Sequence, residues 1–180
     1  MIFGSKEKLA LVMNPISYID GMSDFDCLCG FFINNKGYIS DVPVMFNVQR
    51  QSVIEGALNH IVDNSDYYYM SLDDCFKSLL LYRYLNFIAE SEDEYNDKDW
   101  VDYEYNEFIY SANLESSIYG ENVYDIFCVG NSEMVRLISY KIFPDYYSLN
   151  NLEKYNLNEC FIEKKELKKI IEQVENRMLT

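Results

Sequence analysis

C-L-C-G-F-F-I-N-N-K-G-Y-I, from Cys27 to Ile39, is the stretch whose reading decides the fold. Cys27 to Ile33 is an apolar, aromatic run that reads as a strand. Asn34-Asn35-Lys36-Gly37 follows it, and Asn and Gly tolerate positive φ, so the chain turns tightly there. Tyr38-Ile39 then begins the return strand. A strand, a tight turn and a returning strand can only pair antiparallel.

Working outward, Lys8 to Met13 (K-L-A-L-V-M) reads as an earlier strand ended by Asn14-Pro15. Asp20-Gly21 and Ser23-Asp24 mark a loop. Val42 to Val48 is the next extended piece, with Pro43 at an edge or entry position. The period then changes. Ile54, Ala57, Leu58 and Ile61 repeat at helical spacing, so Gln51 to Val62 reads as an amphipathic helix, ended by Asp63-Asn64-Ser65-Asp66. Ser71 is a good N-cap for a second helix, with Asp73 and Asp74 in its first turn, running to about Glu90. That helix is apolar around most of its circumference, which marks it as the most buried one.

Val123 to Val129 reads as a strand and Gly130 to Glu133 as a turn. Met134 to Ile142 fits either a returning strand or a short helix, and its β-branched and aromatic content favours the strand. Asn150-Asn151 and Asn156 to Asn158 read as loop. A last amphipathic helix runs from about Glu163 to Met178, with Leu167, Ile170, Ile171, Val174 and Met178 on one face. Its lysines, Lys164, Lys165, Lys168 and Lys169, read as the solvated face. Strands do not alternate regularly with helices. The expected class is α+β: a mainly antiparallel sheet with two central helices and a C-terminal amphipathic helix packed on it. Residues 1–180 are expected to form a single domain, with 90–120 an acidic, aromatic-rich insertion within it.

That insertion carries the strongest functional signal. Glu90 to Tyr105 reads E-S-E-D-E-Y-N-D-K-D-W-V-D-Y-E-Y, and it holds the chain's single tryptophan, Trp100. The expected partner-binding residues are Glu92, Asp93, Glu94, Tyr95, Asp97, Asp99, Trp100, Asp102, Tyr103, Glu104 and Tyr105. Carboxylates steer a basic partner and rings anchor it. The whole chain carries 30 acidic and 15 basic residues, a formal net charge of −15. A field of that sign repels nucleic acid and anionic membranes and favours a cationic protein. Charge alone fits equally well a protein whose acidity merely keeps it soluble. Tyr67-Tyr68-Tyr69 is a further unusual run: exposed it would supply interface anchors, buried it would be packing, and the sequence leaves both readings open.

Catalytic chemistry finds little support. His60 is the one histidine, and a lone histidine on a helix is more often packed than a general base. The five cysteines are widely spaced apart from Cys27 and Cys29, which would share one strand face as buried, reduced thiols. No second close pair completes a zinc site, and neither a calcium loop nor a phosphate loop is present. Carboxylate pairs abound in Glu90–Glu104, but catalysis needs burial to separate their pKa values. No catalytic residue, metal or cofactor is therefore expected, and the chain does not read as an enzyme. The N-terminus lacks the pattern of a signal peptide, and the apolar run around Leu79–Leu81 is broken by Arg83 and Asn86. The expected compartment is the cytoplasm.

The order of these pieces resembles the Imm42 type of bacterial immunity proteins of polymorphic toxin systems. The resemblance rests on the opening M-I-F-G-S-K-E-K-L-A-L-V-M, on C-G-F-F-I-N-N-K-G-Y-I, and on V-M-F-N-V leading into the Gln51–Val62 helix. It extends to Y-D-I-F-C-V-G-N-S-E-M-V-R-L-I-S-Y and the closing helix. It covers most of the chain, though only Met1–Gly4 is motif-like and 90–120 is unmatched. The resemblance implies a small cytosolic protein that binds and neutralises one cognate toxin domain, with no shared catalytic residues. A basic toxin, a nuclease above all, fits the acidic stretch. The competing readings are an acidic, non-catalytic adaptor or structural subunit, and a small hydrolase with an unrecognised carboxylate pair.

Overall fold

The computed structural model of the protein describes residues 1–17, 26–39, 44–45, 65–87, 113–114, 124–141 and 149–178. The expected helix Gln51–Val62 and the stretch Glu90–Tyr105 lie outside these residues. Two antiparallel sheets are described. The first has strand order β1 (Ile2–Gly4), β2 (Leu9–Ser17), β3 (Asp26–Ile33), β4 (Lys36–Ile39), with β5 (Val44–Met45) pairing the start of β3. The second has order β6 (Asn113–Leu114), β7 (Tyr124–Gly130), β8 (Met134–Lys141), β9 (Asn158–Glu163). The described helices are α1 (Ser65–Tyr69), α2 (Leu72–Phe87) and α3 (Lys164–Met178), and Leu152–Tyr155 form a 3-10 turn. The class is α+β, as expected.

The β3–β4 hairpin forms as its sequence dictates. Ile33 pairs with Lys36, so the turn is Asn34-Asn35, and both have positive φ, at 48° and 65°. Gly37 is not part of the turn. It lies in β4, where a Cβ would meet the Phe32 ring at 2.7 Å. Along β3, Cys27, Cys29, Phe31 and Ile33 point inward with period two. β2 does not stop at Asn14-Pro15. It continues to Ser17 through a register shift between Pro15 and Ser17, where a bulge accommodates a residue with no N–H to donate.

One core joins both sheets to α3. It draws Phe3, Leu11 and Met13 from β1 and β2, Cys29 and Phe31 from β3, Leu137 and Ile162 from the second sheet, and Leu167, Ile170 and Val174 from α3. Polar groups fasten the same seam. The Ser139 hydroxyl is fully buried, 3.1 Å from Tyr38 Oη and 3.3 Å from the Asn158 carbonyl oxygen. Asn158 Nδ2 donates to the Ile33 carbonyl at 2.8 Å, linking β9 to the end of β3.

The opposite face of the second sheet makes another core. Phe127, Val129, Ile138 and Tyr140 pack there against Cys75, Phe76, Leu79 and Leu80 of α2, with Tyr155 from the 3-10 turn. Phe127 stacks on Tyr140 at 4.6 Å, and Phe76 meets Tyr140 and Tyr155 each at 5.1 Å. Burial on both faces makes β8 a continuous buried run from Val135 to Tyr140. Ser71 caps α2 as expected: its Oγ accepts the Asp74 N–H at 3.2 Å and lies 2.7 Å from the Asp74 carboxylate.

Three further differences from the sequence reading stand out. Ser65 and Asp66, expected to end a helix, instead begin α1. Side chains that stop one helix also cap the next, so residue type alone cannot tell the two apart. Asn158 was expected in loop but opens β9, a strand the sequence reading missed; α3 starts after it at Lys164. Finally, Asn113-Leu114, inside the span expected as an insertion, form a short strand on β7.

Candidate partner-binding surface

The expected binding residues Glu92, Asp93, Glu94, Tyr95, Asp97, Asp99, Trp100, Asp102, Tyr103, Glu104 and Tyr105 all lie outside the described residues, as does His60. The other aromatic run, Tyr67-Tyr68-Tyr69, is described, and the two readings left open for it divide among its members. Tyr67 is half-buried against the α2 core. Tyr69 is 74% exposed, and Met70 after it 37%. Tyr68 lies between them in character and sets its ring edge-on to Tyr69 at 4.9 Å and to Phe161 of β9 at 5.7 Å. Phe161 is itself 43% exposed, because Cys160 and Ile162 take the inward positions of β9. The result is a ridge of large apolar side chains drawn from two distant parts of the chain.

α1 has five residues and buries none of them. An isolated helix that short is not stable in water. Arg136 of β8 holds it. Its Nη1 donates to the carbonyls of Tyr67 and Tyr68 at 3.3 Å and of Met70 at 2.7 Å, the groups a helix C-terminus leaves unpaired. Positive charge at that end also complements the helix dipole. The same guanidinium donates through Nε and Nη2 to Glu159 Oε2 at 2.8 and 2.7 Å, and its carbon stands 5.7 Å from the Phe161 ring. Arg136 is 2% exposed, so this is a buried charge whose donors are spent on one carboxylate and one helix end. The Asn131 amide reaches Tyr69 Oη at 3.3 Å from the β7–β8 turn.

Carboxylates border the ridge. Asp66 lies one helical turn before Tyr69, and Glu159 and Glu163 flank Phe161 on the outward face of β9. Glu133 sits in the β7–β8 turn beside Met134, which pairs with Glu163. On the basic side are Lys164 and Lys165. Lys165 pairs with Glu163 at 2.7 Å, a contact that lowers the Glu163 carboxyl and raises the lysine. Burial, then the neighbouring Tyr69, pushes the Tyr68 phenol above its ordinary value, so that ring presents a neutral edge.

The remaining reactive groups are core. Cys27 and Cys29 Sγ lie 2.8 Å apart, with Met13 Sδ 3.3 Å from Cys29, and every cysteine is buried and free of disulfides. The contact with Cys27, then burial, pushes the Cys29 thiol far above its ordinary value, while burial raises Cys75 to about 11 and Cys160 to about 12. Such thiols stay protonated and unreactive. Among the described residues, no group of three or more His, Cys, Asp or Glu is placed to hold a metal ion. No helix among them is long and apolar enough to cross a membrane.

The family model of Immunity protein 42 (Imm42) matches residues 1–177. The chain belongs to that family. The resemblance drawn from the sequence is thus correct, and this Imm42 chain is an immunity protein, of a class that binds a cognate toxin protein. The fold is shared with the crystal structure of CdiI from Burkholderia dolosa AUO158, at 16% identity and a TM-score of 0.66, over 98% of this chain and 99% of that one. No curated protein matches the chain.

Sequence reasoning did not find Arg136, Glu159 or Phe161. One signal was available: a charged residue inside the apolar run M-V-R-L-I-S-Y is almost never buried unless paired.

Proposed function

We propose that this Imm42 protein acts in the bacterial cytoplasm, within a contact-dependent growth inhibition system, and neutralises a basic toxin domain, a nuclease. Membership of the Imm42 family over residues 1–177 carries the reading. The likeness in fold to CdiI supports the system, and the net charge of −15 supports the chemistry of the partner. A toxin that cuts nucleic acid is basic where it meets phosphate. An inhibitor that covers that surface with carboxylates gains a fast on-rate, and aromatic anchors give it a slow off-rate. Glu92–Tyr105 has that composition and is the proposed contact.

Charge reversal at Asp97, Asp99 and Asp102 should slow association with the toxin domain encoded beside the gene. Trp100→Ala should speed dissociation. Binding unaltered in both respects would reject Glu92–Tyr105 as the contact.

A further inference from the structure

Building on the toxin-binding reading, we infer that the ridge of Tyr68, Tyr69, Met70 and Phe161 is a second, preorganised docking surface for the same basic toxin domain, and that Arg136 is the residue that positions it. The occupant is a toxin face that presents Lys or Arg around an apolar patch. Three observations lead there. Tyr69, Met70 and Phe161 expose apolar area on one ridge, bridged by the Tyr68 ring, although Phe76, Phe127, Tyr140 and Tyr155 nearby are almost completely buried. Glu159 and Glu163 are paired with Arg136 and Lys165, but the rim also carries Asp66 and Glu133, and the chain's net charge of −15 fits a cationic partner around an aromatic centre.

The third observation is the support beneath the ridge. Burying the Arg136 guanidinium, paired with the half-buried Glu159, costs desolvation that an apolar side chain would avoid. What the pair secures is the position of α1, a helix with no buried residue of its own. Rings already fixed before binding lose little entropy when they dock, which is how rigid tyrosines become affinity anchors.

The test measures binding of the full chain to the toxin domain encoded beside the gene. Tyr69→Ala and Phe161→Ala should each weaken affinity about 30-fold or more, mainly through faster dissociation. Tyr69→Phe should restore binding, because the ring is kept. Tyr69→Ala should lower the melting temperature by only a few degrees, since that side chain is 74% exposed and loses one surface hydrogen bond and one ring contact. Arg136→Lys, which keeps the charge but not the fork, should speed amide exchange at residues 67–70 and weaken toxin binding together. If the wild-type chain binds and both alanine variants bind as tightly, the ridge is not a toxin contact, while the immunity reading stands. A wild-type chain that does not bind this domain removes the immunity reading and the ridge proposal with it. A self-association abolished by Tyr69→Ala, with toxin affinity intact, would assign the ridge to a second copy and overturn the proposal.

Discussion

At the scale of single residues, the chemistry of this protein lies in what it buries. Arg136 has no apolar reason to sit in β8, and its place follows from its partners: one carboxylate, two carbonyls of α1 and that of Met70 just after it. Removing it leaves Glu159 and those carbonyls without their donor. Arg136→Ala should therefore cost about 2 kcal/mol of unfolding stability, read from the urea midpoint, since the half-buried Glu159 can regain water. The thiols make a second prediction. Cys75 and Cys160 hold their protons to about 11 and about 12 in the folded chain, against an ordinary value of 9.0. As pH rises past 9.0 the unfolded chain loses these protons first, so the native state binds more of them and stability falls until pH passes about 12. Each thiol adds a slope of about 1.4 kcal/mol per pH unit within its window. Urea midpoints at pH 7, 9 and 11 should show the decline, and Cys75→Ala with Cys160→Ala should reduce it, leaving the share of the raised Cys29 thiol.

At the scale of elements, legibility followed burial. The β3–β4 hairpin was readable because one face is buried and two asparagines sit where positive φ is required. The inward face of α3 was readable for the same reason, since Leu167, Ile170, Ile171 and Val174 all enter the core. β8 was ambiguous because both of its faces are covered, which erases the alternation that separates strand from helix. β9 escaped because its outward positions include Phe161, which breaks the polar half of the pattern. α1 escaped because it is too short for any period and is held by tertiary contacts. The motif-like opening Met1–Gly4 has a local cause. Gly4 has φ of 99°, and a Cβ there would stand 2.5 Å from the Leu9 carbonyl oxygen and 2.7 Å from Ile170 of α3. Gly4→Ala should lower stability by on the order of 2 kcal/mol, checked by thermal unfolding. Ser139→Ala, at the polar seam between the sheets, should cost about 0.5–1.5 kcal/mol by removing a buried hydrogen-bonding hydroxyl.

At the scale of the whole molecule, family and class were legible, because order of elements and composition survive in any single sequence. The ridge was not, since it joins α1 to β9 across distant parts of the chain and depends on a buried arginine between them. The two proposed contacts differ in kind. The carboxylates of Glu92–Tyr105 should govern how fast the partner arrives; Trp100 and the mainly apolar ridge should govern how long it stays. Rim changes such as Glu163→Gln should therefore alter salt dependence, and ridge changes should not. The central claim is that this Imm42 chain neutralises a basic toxin domain. Its most direct test is the affinity for the toxin domain encoded beside the gene, titrated from low to high salt. Tight binding whose association rate falls steeply with salt is the predicted result. Absence of binding at low salt would contradict the immunity reading, and tight binding indifferent to salt would contradict a carboxylate-driven complex.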